Sequence, residues 1–367
     1  MSASPDRLPP YFVVLPTRVR RNYTGGAMLE RWTGSGNGAD GDMPEDWIAS
    51  TTLAKNPGLP ARRDEGITRV QSPDGAESDL RTEIARHPLH LLGADHLAAV
   101  GTEIGFLAKL LDSSIRLHVQ AHPTAAFSRA HLDSPYGKLE TYVILGARPG
   151  VEPYAFLGFS DAPSPDEWRR IIAEQDLPAM HARLNRVPLR AGEVWLVPGG
   201  LPHAIGEGVL MLEVMEPSDW VVRCEFVREG IVVPPEGRYM GRDLDFCLQI
   251  FDYRSYRPDE IRATCRLAPR RITDSSNATE DELVGGAQTD RFVIRRFRAT
   301  APAAIPNAGR FRLMLITSGS GTLECGAATQ PLNPGARLLI PAGSSECRLV
   351  PTSQEPLEAV FCLPGNS

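Results

Sequence analysis

The stretch "GEVWLVPGGLPH" (residues 192–203) has the form of one strand enclosed by turn residues. Its pattern G-x5-P-x-G-x2-H recurs as G-x5-P-x-G-x2-E in "GARLLIPAGSSE" (residues 335–346). In each copy a turn glycine precedes a short strand, and a Pro/Gly turn then redirects the chain. The next residue of interest, His203 or Glu346, is expected to face inward. A protein rich in Pro and Gly can produce such a match by chance; otherwise the repeat predicts two related β-domains.

Short apolar segments bounded by Gly, Pro, Asn or Asp predict further strands. They are residues 115–121, 140–147, 193–198, 209–215, 292–298, 311–317 and 336–341. Short strands at regular spacing favour a β-sandwich or barrel. We therefore predict a mainly β protein with one domain over residues 1–255 and a second over residues 256–367. A linker is expected near residues 252–290, where the run "TDSSNATEDE" is polar.

A few helices are expected, mostly within the first domain. Residues 78–87 open on a serine suited to capping and stop before a proline. Residues 164–184 begin "SPDE", which is the pattern of a capping box with proline at the first helical position. This segment is expected to break in two at Leu177-Pro178. A third helix is predicted over residues 240–250, whose leucines and Phe251 share one face.

Composition sets broad limits on the function. The chain has 367 residues, 23% of them charged, and a net charge of -6, which argues against a polyanion such as nucleic acid as partner. The six cysteines lack CxxC spacing and are interpreted as reduced thiols, although their even number leaves disulfides open. No secretion signal and no apolar run of about 18 residues is present. We expect a cytoplasmic monomer or weak homo-oligomer without a membrane partner.

The stretch "LHVQAHP" (residues 117–123) places polar side chains at alternate positions of an apolar segment. In an extended chain His118, Gln120 and His122 project from one face, because side chains of a strand alternate between its two faces. These side chains could form a metal site, a substrate site or a solvated edge.

Gln120, His122, Glu140 and His203 together form a workable set for a divalent metal, typically zinc. A set with few anionic ligands leaves the metal able to polarise a substrate oxygen. For one histidine alone, a strand end or a satisfied polar group is the better interpretation. The four residue types in this order, with the G-x5-P-x-G-x2-H pattern, favour the metal site.

Several stretches resemble, in order and spacing, the type I mannose-6-phosphate isomerase family of the cupin superfamily. They are "TGGAML" (24–29), "EDWIAS" (45–50), "FLAKLLD" (106–112), "VQAHP" (119–123), "GKLE" (137–140), "VPGGLPHAIGEGVLMLEV" (197–214) and "SDWVVR" (218–223). The C-terminal "LITSGSGTLECG" and "NPGARLLIPAG" resemble the family's second jelly roll. The resemblance implies two cupin-type jelly rolls, with a metal site in the first domain and none in the second.

The resemblance also implies roles for individual residues. One zinc ion per chain would be bound by Gln120, His122, Glu140 and His203. Arg223 falls on an arginine assigned to catalysis and phosphate contact, and Lys138 on a lysine beside the substrate phosphate. Glu213 and Asp219 match acidic positions that line the pocket. We take Glu213 as the candidate general base, although a carboxylate near zinc could equally serve to orient other groups.

Four departures from the family pattern concern the phosphate end of the pocket. His118 stands where the family has a serine that contacts phosphate, and Trp220 replaces an asparagine. A basic residue that often follows the arginine is missing from "RCEFVREG", and "TGG" replaces "WGG". The zinc ligands are intact whereas the phosphate contacts differ, so we expect His118 to face the substrate and not the metal.

Three functions remain open. The first is a zinc-dependent aldose–ketose isomerase that interconverts mannose 6-phosphate and fructose 6-phosphate through an enediol. The second is the same chemistry on an unphosphorylated or differently substituted sugar. The third is a non-catalytic sugar-binding cupin with a regulatory role, against which the intact ligand set and Arg223 argue. In each case the partner is a small sugar or sugar phosphate.

Overall fold

The computed structural model describes residues 8–34, 36–306 and 309–365, and strands dominate it. The strands are β1 Phe12–Val14, β2 Arg18–Val19, β3 Glu45–Ile48, β4 Arg69–Gln71, β5 Glu77–Asp79, β6 Leu107–Asp112, β7 Gln120–Ala121, β8 Glu140–Ala147, β9 Tyr154–Phe159, β10 Leu184–Pro188, β11 Val194–Val197, β12 His203–Ile205, β13 Val209–Met215, β14 Val222–Arg223, β15 Val227–Arg228, β16 Ile231–Val232, β17 Arg266–Leu267, β18 Arg270–Asp274, β19 Ala278–Val284, β20 Phe292–Ala299, β21 Ala303–Ile305, β22 Arg312–Ser318, β23 Gly321–Cys325, β24 Ala328–Leu332, β25 Arg337–Ile340, β26 Cys347–Pro351 and β27 Leu357–Pro364. The helices are α1 Ala27–Thr33, α2 Leu80–Arg86, α3 Pro88–Leu92, α4 Ala94–Ala99, α5 Ala125–His131, α6 Pro165–Glu174, α7 Leu177–Ala182, α8 Leu244–Leu248 and α9 Pro258–Cys265, with a 3-10 turn at Pro235–Gly237.

The sheets form two jelly rolls with the same strand order. In the first, a seven-stranded sheet contains the run β11-β8-β13-β6, and a five-stranded sheet contains β10-β9-β12-β7. In the second, a nine-stranded sheet contains β25-β22-β27-β20, and a four-stranded sheet contains β24-β23-β26-β21. The two runs correspond strand for strand, so the predicted mainly β class with two cupin-type jelly rolls is confirmed.

The repeat that opened the sequence marks equivalent places in the two jelly rolls. Gly192 and Gly335 both have φ of +86°, a conformation that favours glycine. Each glycine is followed by a strand that pairs with the equivalent neighbour in its own jelly roll. β11 pairs with β8 in the first, and β25 pairs with β22 in the second. The copies differ at their ends: His203 is buried, whereas Glu346 is exposed. The expectation that Glu346 faces inward is therefore wrong, because β26 begins only after it.

The two jelly rolls share an extensive interface between their larger sheets. Phe106 stacks on Phe311 with 6.2 Å between ring centroids, and it meets Phe292 at 6.4 Å. All three rings are buried, and burying one such side chain contributes about 1.5–3 kcal/mol. This aromatic contact joins the first half of the chain to the second.

Strands also cross between the halves. β1, from the N-terminal segment, pairs with β25 and is followed outward by β4 and β5 in the nine-stranded sheet. β17 follows the first jelly roll in sequence and pairs with β11. The division into residues 1–255 and 256–367 stays a prediction. The linker expected near residues 252–290 is wrong, because α9 and strands β17 to β19 occupy much of that range.

The predicted helices exist, with different ends. Asp79, rather than the preceding serine, caps α2 by accepting from Thr82 N at 2.8 Å. Ser164 caps α6 as predicted, and the segment breaks after α6 so that α7 is a separate helix. Only one half of the predicted capping box forms: Ser164 Oγ accepts from Glu167 N, but the Glu167 carboxylate accepts from Arg183 at 2.6 Å and not from the backbone of Ser164. The third helix is shorter than predicted, only α8.

Two of the six cysteines are paired. Cys325 and Cys347 form a disulfide that joins β23 to β26, where they lie directly opposite one another. The expectation of reduced thiols is therefore wrong for this pair, because cross-strand register and not sequence spacing brings them together. The other four cysteines are free and buried.

Within the described ranges, we find no helix that is both long and apolar enough to span a membrane.

Candidate active site

Short elements of the first jelly roll bring the predicted ligands together. β7 begins at Gln120, β8 at Glu140 and β12 at His203. β7 pairs with β12 so that Gln120 lies directly opposite His203. The carbonyl of His122 accepts from Gly200 N at 2.6 Å, which ties His122 to the Pro/Gly turn that leads into β12.

Two glycines allow the backbone to pack closely around His122. A Cβ at Gly137 would lie 2.4 Å from the nitrogen of Ala125, and a Cβ at Gly199 would lie 2.8 Å from the backbone of Thr124. No side chain fits at such distances. These glycines therefore hold both the start of β8 and the turn before β12 against the segment that follows His122.

His122, Glu140 and His203 form a buried set able to hold a metal ion, with ligand atoms within 4.8 Å of one another. His122 Nε2 lies 3.1 Å from one oxygen of Glu140, and His203 Nε2 lies 3.4 Å from the other. The side-chain amide of Gln120 reaches to 3.4 Å from His203 Nε2. The structure thus brings together all four residues that the sequence singled out as ligands.

Hydrogen bonds at the far side of each ring orient the two histidines. His122 Nδ1 is 2.7 Å from the carbonyl of Trp220, and His203 Nδ1 is 2.9 Å from the carbonyl of Leu201. A carbonyl only accepts, so each Nδ1 must donate, and in the neutral ring Nε2 then carries the lone pair. Metal-binding histidines in proteins are oriented in this way. With the Nε2 atoms of His122 and His203 directed at the Glu140 carboxylate in a buried site, the three side chains are arranged to bind a cation between them.

Electrostatics keep these groups in the protonation states that a metal needs. Burial, aided by the nearby Lys138 ammonium, lowers the pKa of His122 to about 3, so its ring is neutral. Burial alone would raise the pKa of Glu140, but Lys138 and the two histidines hold it well below its usual value. The Tyr142 hydroxyl donates to Glu140 at 2.6 Å. The set therefore offers the neutral His122 ring and the Glu140 carboxylate, with His203 Nε2 facing the other oxygen of that carboxylate.

Lys138 lies directly at this set. Its Nζ is 3.0 Å from Glu140 Oε1 and 3.3 Å from His122 Nε2. Its position is thus at the ligand-bearing end of the site, whereas the family resemblance puts the matching lysine beside a phosphate. The role of Lys138 in substrate binding stays a prediction.

Gln120 and Glu140 line a pocket with an empty volume of about 520 Å³, which we call the cleft. All of the predicted catalytic and substrate-binding residues line it, namely His118, Lys138, Glu213, Asp219 and Arg223. Burial lowers the pKa of Arg223 to about 10, so its guanidinium is charged at neutral pH. Its Nη1 donates to the carbonyl of Gly237 at 2.5 Å.

A buried charge network beside the ligands was not singled out from the sequence. Lys109 lies between two carboxylates, 3.1 Å from Glu213 and 3.3 Å from Glu45. Glu45 also pairs with Arg21 at 2.9 Å. The sequence feature that could have predicted this network is the lysine in the middle of the apolar run "FLAKLLD". A lysine is almost never fully buried unless it is paired with an acidic residue.

His118 lines the cleft with an unsatisfied ring nitrogen. The residue is 3% exposed, and its Nε2 finds no hydrogen-bond partner among the described residues. Burial lowers its pKa to about 4, so the ring is neutral. Of the segment predicted as strand 115–121, only β7 pairs as a strand, and His118 precedes it. His118 still shares the cleft with Gln120, as the alternation predicted.

Comparison with known proteins agrees with these motifs. No family model matches the chain. The mannose-6-phosphate isomerase ManA of Bacillus subtilis is 25% identical over 270 residues, which span 73% of this chain and 78% of that protein. A solved mannose 6-phosphate isomerase from Bacillus subtilis has a TM-score of 0.71 at 18% identity and covers 97% of this chain and 99% of its own. A mannose 6-phosphate isomerase solved with zinc and yttrium has a TM-score of 0.69 at 17% identity. The match covers 97% of this chain and 100% of that one. The structural likeness establishes the fold, and the chain is similar in sequence, at about 25% identity over most of its length, to proteins named mannose-6-phosphate isomerase.

Proposed function

We propose that the protein is a zinc-dependent isomerase that interconverts mannose 6-phosphate and fructose 6-phosphate. The observation that carries the proposal is the buried set of His122, Glu140 and His203, in which both Nε2 lone pairs face one carboxylate at the end of a cleft. The similarity to isomerases over most of the chain supports the choice of reaction. A related fold that was solved with zinc supports the choice of metal.

One zinc ion would be held by Gln120, His122, Glu140 and His203. When bound, it supplies positive charge that stabilises the oxygens of C1 and C2 as the enediol forms. The two Nδ1–H donors to backbone carbonyls keep His122 and His203 oriented for this role. Tyr142 fixes the Glu140 carboxylate through its hydroxyl.

Glu213 is the proposed base that moves the proton between C2 and C1. It lines the cleft, is 2% exposed, and lies on β13 opposite Lys109 of β6. Burial raises its pKa to about 8, although Lys109 opposes the shift, so the carboxylate is a much better base than an exposed one. In the forward reaction Glu213 takes the proton from C2 of the aldose and returns it to C1, while the hydroxyl proton of O2 passes to O1, so that C2 becomes the ketone and C1 carries the hydroxyl.

Arg223 and Asp219 complete the proposed site. Arg223 is a half-buried cation that lines the cleft on β14, the neighbour of β7. It is placed to stabilise negative charge on the substrate oxygens in the transition state. Asp219 lines the same cleft and is available to accept a hydrogen bond from a sugar hydroxyl.

Replacing Glu213 by glutamine is expected to lower kcat about 100- to 1000-fold while the zinc content stays the same. A positioned general base contributes about 10²–10⁴-fold, and glutamine keeps the shape but takes no proton. The rate of the unchanged protein should rise with pH until Glu213 is deprotonated, and the variant should lose this rise. A pH profile of kcat measures both effects. A variant with normal kcat would leave Glu213 a role in orientation only.

A second candidate function is the same isomerisation of an unphosphorylated sugar. His118 favours it, because a neutral imidazole with a free Nε2 suits a sugar hydroxyl better than a phosphate dianion. His118 occupies the position at which the family that the sequence resembles has a serine that contacts phosphate.

One assay tests both candidates. Zinc-loaded protein is offered mannose 6-phosphate, free mannose and other aldoses, and ketose formation is followed before and after removal of the metal by a chelator. The proposal expects turnover of the phosphate ester that is lost on chelation and restored by zinc. Turnover of free sugars alone would replace it by the second candidate, and binding without turnover of any sugar would contradict both.

A further inference from the structure

The chain uses lysine very sparingly, and all of its lysines lie at one place. It contains 36 arginines but only three lysines, Lys55, Lys109 and Lys138. Lys109 and Lys138 line the cleft. Lys55 lines a second cavity with an empty volume of about 830 Å³, which we call the adjoining cavity. Lys109 and Lys138 are buried, so Lys55 is the one exposed lysine among the described residues, and it stands beside the cleft.

The adjoining cavity opens next to the cleft. The two share Arg21, Asn22 and Arg223 in their walls. Among the described residues that line the adjoining cavity, three carry positive charge and none carries a carboxylate. The cleft, in contrast, has four carboxylates facing its four cations. An anion is therefore attracted to the adjoining cavity more than to the cleft.

Two of these cations are available to a ligand. Over the described residues, no carboxylate lies within ion-pair distance of Lys55 or Arg223. The Lys55 ammonium lies 5.7 Å from the ring centroid of Trp220, a cation–π contact that sets its direction without neutralising it. Arg21 differs, since it is paired with Glu45.

The segment that carries Lys55 is anchored at both sides. Ala54 N donates to the carbonyl of Glu65 at 2.8 Å, and Glu65 forms a well-buried ion pair with Arg20 at 2.8 Å. Arg21 Nη1 donates to the carbonyl of Lys55 at 3.4 Å. Lys55 is therefore held at the wall of the cavity by its own backbone.

We propose that the phosphate of the sugar phosphate binds in the adjoining cavity against Lys55 and Arg223, and not beside His118. This inference rests on the proposed function. Lysine and arginine are the usual partners of phosphate, and both here have free donors. The sugar would then lie in the cleft with its reacting carbons towards the zinc ligands and its phosphate in the adjoining cavity, while His118 contacts a hydroxyl.

Kinetics with two substrates test the proposal. In the zinc-loaded protein, Lys55→Ala is expected to raise KM for mannose 6-phosphate about 10- to 100-fold, the range for loss of one charge-assisted hydrogen bond. Its kcat/KM for free mannose should not change, and Lys55→Arg should restore most of the phosphate affinity. Arg62→Ala is the matched control, because Arg62 is an exposed cation of the same segment outside the cavity wall. If Lys55→Ala behaves like this control, the proposal is wrong.

Binding without turnover separates this proposal from the proposed function. Calorimetry with mannitol 6-phosphate and mannitol, neither of which can isomerise, measures the affinity gained from the phosphate. The proposal expects that gain in the unchanged protein and in Arg62→Ala, and its loss in Lys55→Ala, even if no sugar is turned over. No gain in the unchanged protein, or an undiminished gain in Lys55→Ala, would overturn it whatever the enzyme assay gives.

Discussion

His203→Ala is expected to lower kcat/KM for mannose 6-phosphate by about a thousandfold or more and to abolish stoichiometric zinc binding. His203 Nε2 faces Glu140 at 3.4 Å and belongs to the set able to hold a metal ion. A metal that stabilises developing charge contributes several kcal/mol to the transition state, and every 1.36 kcal/mol is tenfold in rate. Metal analysis and steady-state kinetics on the same preparation measure both effects.

The controls separate loss of metal from general damage. His131→Ala removes an exposed histidine that lies outside the cleft and should keep both zinc and activity. Glu140→Gln keeps the shape of the ligand but removes its charge, so it should also lose zinc. Retention of one zinc per chain and of normal kcat/KM in His203→Ala would exclude this metal site.

The fold was predictable where turn residues enclose short apolar runs. The glycines and prolines of "GEVWLVPGGLPH" and "GARLLIPAGSSE" mark β11 and β25, which hold the same place in the two jelly rolls. β8 and β13 match their predicted ranges, because each is a long apolar run with clear ends. Features that depend on which strands meet were not predictable from local patterns. They include the crossing of β1 into the second jelly roll and the disulfide.

The candidate ligand set was predictable because its chemistry is visible in single residues. Histidine, glutamine and glutamate are uncommon in apolar strands, and four of them in this order predict a metal site, of which His122, Glu140 and His203 form a buried group able to hold an ion. The network around Lys109 was missed because it depends on register: Glu213 lies opposite Lys109 only when β13 is paired with β6. The proposed phosphate contact of Lys55 was not predictable for a different reason, since Lys55 lies in an irregular segment where no pattern distinguishes a ligand-binding cation from a solvated one.

Arg116→Met is expected to lower the free energy of unfolding by about 3–5 kcal/mol, the usual effect of removing one partner of a buried ion pair. The two guanidinium nitrogens of Arg116 contact the two oxygens of Glu225 at 2.7 and 2.8 Å, and the side chains are 2% and 0% exposed. Glu225 also accepts from Val119 N at 3.2 Å. The pair therefore anchors the segment that leads into Gln120 and His122. Urea unfolding of the metal-free proteins measures the loss.

The pH dependence of this loss identifies its cause. Burial alone would raise the pKa of Glu225, but Arg116 holds it below its usual value. In the variant burial acts unopposed, so the folded-state pKa rises above the unfolded one. Stability is then lost as the pH rises from about 4.5 through that raised pKa, and the difference from the unchanged protein should be larger at pH 8 than at pH 5. A difference that is independent of pH would point to lost packing instead.

The double variant Arg116→Met/Glu225→Leu completes the argument, because it removes both charges and leaves no unpaired carboxylate. It should recover at least half of the lost stability, since apolar replacements of buried ion pairs are often neutral or stabilising. Its zinc affinity should still fall about 10- to 100-fold, because Val119 N and the carbonyl of Leu117 both lose the partners that fix the segment before Gln120. Recovered stability with unchanged zinc affinity would mean that the pair stabilises the fold without positioning the ligands.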